Sequence, residues 1–130
     1  MMLSPPRVTL PILQKLIMVY RTWHEYIRHF PKDFRYSLGT KIDSLFLEVI
    51  EAIFMASILI KGQKLPHIQK ASIKLDMLKF FLQVAWESKA IDNKRYITFS
   101  SQLAEIGRML GGWQKQIINI EKGNPAKCGE

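Results

Sequence analysis

Apolar residues along the chain recur at spacings of three and four and strand signals are nearly absent, so the pattern predicts helices and no sheet. Turn-forming clusters fall at Phe30-Pro31-Lys32-Asp33, Gly62-Gln63-Lys64-Leu65-Pro66 and Ala90-Ile91-Asp92-Asn93. They divide the chain into four segments of roughly 20 to 28 residues, and connections this short force successive helices to run antiparallel. The expected fold is all-α, an antiparallel up-down four-helix bundle. A flexible segment is expected over 1–8, the bundle domain over 9–122 and a flexible tail over 123–130.

The first helix is expected to begin with Thr9 as N-cap and Pro11 in the first turn, where a missing N–H costs nothing. Leu13, Leu16, Ile17, Tyr20, His24 and Ile27 form its predicted buried stripe, and Pro31 ends it. The second runs from about Asp33 to Lys61, with Gly62 as its stop. Pro66 opens the third, whose stripe is Ala71, Leu75, Leu78, Leu82 and Ala85, widened by Met77, Phe80, Phe81 and Val84. After Asp92 the fourth keeps a three-four alternation through Tyr96, Phe99, Leu103, Ile106, Leu110, Trp113 and Ile117. Gly107, Gly111 and Gly112 each cost this helix about 1 kcal/mol relative to alanine, and are expected to permit close approach.

The second helix is apolar around most of its circumference. Ile42, Leu45, Val49, Ile53 and Ile60 lie on one side, while Leu47, Ile50, Phe54 and Ile58 lie on others. A bundle has one inner face, so the remainder must be covered, either by self-association or by the flanking helices. Self-association is the expectation.

Composition changes this picture in one respect. The 130 residues are globular in character, 48% hydrophobic and 23% charged, but 19 Lys and Arg against 11 Asp and Glu leave a formal +8. Such a surplus suits a polyanionic partner, or serves solubility alone. The one cysteine, Cys128, can form no internal disulfide. The proline-rich start, Met1 to Arg7, does not resemble a secretory leader, and the apolar run Ala52 to Ile60 is too short to span a bilayer. A cytoplasmic protein with no membrane association is expected.

Motifs for catalysis are missing: no phosphate loop, dinucleotide fingerprint, nucleophile elbow or helical zinc pair occurs. His24 and His29 are five apart, about 140° around a helix, and cannot chelate one ion as an i, i+4 pair could. His24 is read as a core histidine on its apolar stripe. Glu48 and Glu51 are candidates for buried hydrogen bonding, for an interface or for solvent exposure; with His24 they are the sole basis for an acid-base or metal enzyme. No catalytic residue, cofactor or metal ligand is expected.

Basic residues are better organised. On the fourth helix Lys94, Arg108, Lys115 and Lys122 share a seven-residue repeat with Ser101, opposite the apolar seam, with Arg95 beside it. Arg21 and Arg28 share a face of the first helix, followed by Lys32 and Arg35; Lys70 and Lys74 are one turn apart on the third, with Lys79 beyond. From Arg7 to Lys41 seven basic residues face two acids, a formal +5. Spaced Lys and Arg suit phosphate backbones without reading bases. Such stripes also serve simply as the solvated side of an amphipathic helix. Trp23, Trp86 and Trp113 follow the core spacing and are read as packing groups rather than base-stacking platforms.

The stretch Pro31-Lys32-Asp33-Phe34-Arg35-Tyr36-Ser37-Leu38-Gly39-Thr40-Lys41-Ile42 resembles the second-helix opening of a bacterial four-helix bundle superfamily. That superfamily includes the ribosomal-RNA intervening-sequence proteins and Avd, the accessory variability determinant of diversity-generating retroelements. Leu75-Asp76-Met77-Leu78-Lys79-Phe80 and Glu105-Ile106-Gly107-Arg108-Met109-Leu110-Gly111-Gly112-Trp113 resemble Avd, and the resemblance spans about Leu10 to Ile117. Where the intervening-sequence branch carries an Asn-Ile-Ala-Glu-Gly-like stretch, this chain has Ile58-Leu59-Ile60-Lys61-Gly62. The resemblance implies a homopentamer that binds the retroelement's reverse transcriptase and RNA or DNA. Arg21, Arg28, Lys70, Lys74, Lys79, Lys94, Arg95, Arg108 and Lys115 are the contact candidates. A structural RNA-associated bundle of the intervening-sequence type is the alternative.

Overall fold

The computed structural model describes residues 10–122, and among them every regular element is helical. The expected flexible ends, the Thr9 cap and Cys128 lie outside the described residues. Four long helices carry the fold: α1 (Pro11–Tyr26), α3 (Thr40–Ile58), α4 (Lys61–Glu87) and α5 (Asn93–Glu121). A short helix α2 (Lys32–Phe34) and a π-turn (Arg35–Gly39) lead into α3. Helix α1 packs on α3 and α5, and α4 packs on the same two, which places α1 and α4 on one diagonal. Lys64, Lys74 and Phe81 of α4 meet Ala56, Glu48 and Lys41 of α3 in reverse order, and Glu105 and Arg95 of α5 meet Lys15 and Tyr26 of α1, so α4 runs antiparallel to α3 and α5 to α1.

Leu10 takes the cap position of α1, and its carbonyl accepts from the amides of Leu13 and Gln14. The buried residues of α1 are Ile12, Leu13, Leu16, Val19, Trp23 and Tyr26. The expected stripe is therefore rotated: Ile17, Tyr20 and Ile27 flank the core, and His24 is exposed. Both phases obey the helical period, and Trp23 decides between them. Its ring meets Phe30, Phe46 and Phe99 at centroid distances of 5.6, 6.0 and 6.2 Å, and its indole N–H donates to Asp43 at 3.2 Å.

The second long helix does not run unbroken from Asp33. The chain widens into the π-turn, in which the Thr40 hydroxyl donates to the Arg35 carbonyl five residues back at 3.3 Å. Gly39 permits the packing of this turn: a Cβ there would lie 3.1 Å from Ile27 Cδ1 and 3.5 Å from Phe30 Cδ2.

The junction of α3 and α4 also departs from expectation. Helix α3 stops at Ile58, Leu59 and Ile60 are extended, and α4 begins at Lys61, so Gly62 lies in its first turn and Pro66 inside it. Lys64 reaches back to donate to the Ala56 carbonyl at 2.7 Å, which satisfies an end group of α3 and closes the reversal in two residues. The fourth long helix begins where expected: Asp92 caps it by accepting from the Arg95 amide at 2.8 Å. Between α4 and α5, Lys89 adopts a left-handed backbone with φ of 66°, the conformation that ends helices most often at glycine.

The predicted central stripe of α4 and that of α5 are buried, with Tyr96 and Trp113 half-buried against the core; of the residues expected to widen the α4 stripe, Met77, Phe81 and Val84 are half-buried and Phe80 is exposed. Trp86 is not a core group. It lies at the surface stacked on Tyr96, centroids 4.8 Å apart and planes at 9°, while its N–H donates to Asn93 at 2.6 Å. The helix-interior glycines do not serve close approach within the protomer. A Cβ at Gly107 would make ordinary contact at 3.6 Å, and at Gly111 or Gly112 it would meet nothing within 4 Å.

Candidate nucleic-acid interface

Helix α5 presents its seven-residue repeat outward, because the opposite seam of Phe99, Leu103, Ile106, Leu110 and Ile117 fixes its rotation against the bundle. Lys94, Ser101, Arg108, Lys115 and Lys122 are all exposed on that outer face. The repeat sets Arg108, Lys115 and Lys122 about 10 Å apart along one side, with Lys94 about 21 Å before Arg108 because Ser101 takes the position between them. Arg95 is committed differently: its guanidinium sits over the Tyr26 ring, 4.8 Å from the centroid, at the end of the bundle where burial and nearby Asp92 raise the tyrosine's pKa.

The lysines of α4 do not form one face. Lys70 is exposed, Lys74 turns toward α3 and pairs with Glu48 at 2.9 Å, and Lys79 points toward Gly107 of α5 with Asp76 at 3.9 Å. Lys74 is thus engaged within the protomer. Glu48 accepts from it and from the Ser44 hydroxyl at 3.0 Å, and these donors hold the carboxyl below its ordinary pKa. Glu51 is exposed. Among the described residues no three His, Cys, Asp or Glu side chains converge as a metal site would require.

Arg21 and Arg28 are both exposed and line one cleft of about 280 Å³ with Tyr20, His24 and Glu25. A second cleft of about 390 Å³ shares His24 and Arg28 and opens between the end of α1 and the π-turn. Ile27, Arg35, Tyr36, Thr40 and Asp43 complete its wall. The turn positions them: Arg35 folds inward, donating to the carbonyls of Arg28 and Phe30 at 3.0 and 3.2 Å, and the next residue, Tyr36, is thrown outward, 84% exposed. Asp43 holds the indole N–H of Trp23 and the hydroxyl of Tyr20, whose pKa is raised by burial and by this carboxylate. Tyr36 and Asp43 were not among the sequence candidates, and His24 was considered only for acid-base or metal chemistry. The one available signal was Phe30-Pro31 followed by Gly39, which marks an interrupted helix entry.

Apolar groups also remain at the surface. On α3 Leu47 and Ile58 are 46% and 53% exposed, with Ile50 and Phe54 half-buried. On α4 Ile73 and Phe80 are 60% and 57% exposed, with Met77 and Val84 between and beyond them at helical spacing. No helix among the described residues is long and apolar enough to cross a membrane.

The model of the bAvd-like family matches residues 10–117, the whole span from the first turn of α1 to the last core residue of α5. No curated protein and no solved structure gives a significant match. With four antiparallel helices arranged around one core and the family's pattern running through all of them, the chain belongs to the bAvd-like family.

Proposed function

We propose that the chain is the non-catalytic accessory protein of a diversity-generating retroelement, working in the cytoplasm as a homopentamer that binds its reverse transcriptase and RNA or DNA. The observation that carries this reading is the family match over residues 10–117. Two features of the surface support it. The outer face of α5 aligns Lys94, Arg108, Lys115 and Lys122 on one seven-residue repeat, interrupted by Ser101, an arrangement suited to a phosphate backbone. The exposed apolar residues of α3 and α4 exceed what a lone bundle gains from exposing, and a second copy would cover them.

Five copies at +8 each carry a formal +40, so nucleic acid meets many equivalent sites and its affinity falls steeply with salt. Chemistry belongs to the polymerase in this scheme; the accessory protein supplies a scaffold and a concentrated positive field.

Co-purification with the reverse transcriptase encoded beside it, together with the solution mass of the free protein, tests partner and stoichiometry at once. A complex that survives moderate salt and a free mass five times that of the chain are expected. A lone-chain mass with no retained polymerase would overturn the reading.

A further inference from the structure

The trough along α1 and the π-turn has a composition that the basic stripe of α5 lacks. Its wall combines an aromatic ring standing almost free in solvent, Tyr36, with an apolar step, Ile27, and the guanidinium of Arg28. The same arginine and His24 continue into the neighbouring cleft, where Arg21 stands two helical turns, about 10 Å, further along. A third cleft of about 220 Å³, which shares Arg21, prolongs the trough past Met18.

We propose that this trough is a single-strand site: an unpaired nucleobase stacks on Tyr36 in the larger cleft, and the adjoining backbone runs past Arg28 toward Arg21. The inference rests on the nucleic-acid reading above and deepens it by naming the form of nucleic acid and the residue that selects it. A base offers a flat apolar face to Tyr36 and Ile27, and its phosphate offers charge to the arginines. Duplex bases have no free face to give, so a duplex gains nothing from the ring. A cleft of about 390 Å³ lies within the usual range of small-ligand sites.

Competing occupants fit less well. A partner helix requires a continuous apolar strip, but Arg21, Thr22 and Glu25 interrupt the trough after Met18. Glu25 opposes phosphate locally, and Asp43 does so at the other end; Asp43 is already engaged by Trp23 and Tyr20, and three arginines line the same two clefts. The clamp of Arg35 on the carbonyls of Arg28 and Phe30 fixes the turn from which Tyr36 projects, while its ring stands in solvent.

The test uses the full-length protein and fluorescence anisotropy, with labelled oligouridylate and an RNA duplex of the same length as probes. Tyr36→Ala should weaken oligouridylate binding roughly tenfold to a hundredfold and leave duplex binding unchanged, while Tyr36→Phe retains both. The combined Lys94→Glu, Arg108→Glu, Lys115→Glu variant should weaken both probes together. Because Tyr36 is exposed, the melting temperature should not move. Equal binding of oligouridylate by Tyr36→Ala and the unsubstituted protein would overturn the single-strand site while leaving the functional reading intact. An equal loss on both probes, a changed assembly mass, or a loss confined to polymerase co-purification would overturn it too, the last two assigning the trough to a protein. Failure of the unsubstituted protein to bind either RNA would remove the nucleic-acid reading and this site together.

Discussion

Replacing Phe80 by glutamine separates the stability of the protomer from the stability of the assembly. Phe80 lies on the outward side of α4 with 57% of its surface exposed, two residues from Leu78, which is fully buried. A phenylalanine buries on the order of 200 Å² when completely covered, so about 110 Å² is still available to a neighbouring copy. At about 25 cal/mol per Å² that area is worth up to 2 to 3 kcal/mol for each protomer. Its loss weakens each contact up to about a hundredfold. Within the protomer the substitution removes only an edge-to-face contact with Phe81 at 5.3 Å, about 1 kcal/mol, and glutamine is the better helix former. Leu78→Ala provides the contrast, since it empties a core position and should cost about 2 to 5 kcal/mol. Sedimentation velocity across a dilution series and a circular-dichroism melt read the two effects independently. Phe80→Gln should shift mass toward the single chain at concentrations where the unsubstituted protein is assembled, with melting nearly unchanged. Leu78→Ala should lower the melt by roughly 10 °C. If Phe80→Gln keeps the assembly at every dilution, α4 does not face a second copy and the surplus apolar surface needs another explanation.

Three further outcomes follow from the same geometry. Reversing charge at Lys94, Arg108 and Lys115 together should abolish most salt-dependent binding to RNA without altering helicity, as read by filter binding and circular dichroism; undiminished binding would reject the α5 face. Gly111→Ala should raise protomer stability by about 1 kcal/mol in a urea melt because a Cβ there enters open space, and Gly39→Ala should fall clearly below it because its Cβ meets Ile27 at 3.1 Å. Lys74 and Ser44 lower the Glu48 pKa, so the stabilisation is present above the free glutamate value of about 4.3 and is lost as pH falls through the lower folded value. The pair is partly exposed, so Glu48→Gln should remove only about 0.5 to 1 kcal/mol at neutral pH and should flatten the acid limb of a stability-pH curve.

The helical period of the sequence was sufficient to determine the class of fold, the number of long helices and the inward faces of α4 and α5. In α5 the apolar stripe is long and its phase clear, and the outward position of Lys94, Arg108 and Lys115 follows from the same period; in α4 apolar residues spread around the helix, and the structure leaves Ile73 and Phe80 exposed. Charge was legible for the same reason, because it is a sum over residues and does not depend on folding. Helix boundaries were less so. Gly62 and Pro66 punctuate the sequence, yet the reversal occurs at Leu59 and Ile60, where Lys64, the fourth residue of α4, caps the preceding helix. Tertiary packing alone decided which of two equally periodic stripes on α1 turns inward, and thereby placed Trp23 in the core and His24 at the surface. It also decided which cations remain available: Lys74 is drawn to Glu48 and Arg35 to two carbonyls, while Arg28 stays exposed beside Tyr36 and Arg21 in the neighbouring cleft. Local periodicity specifies a helix and its faces, but partners distant in sequence choose among compatible faces, because aromatic contact and satisfied end groups exist only once the helices meet.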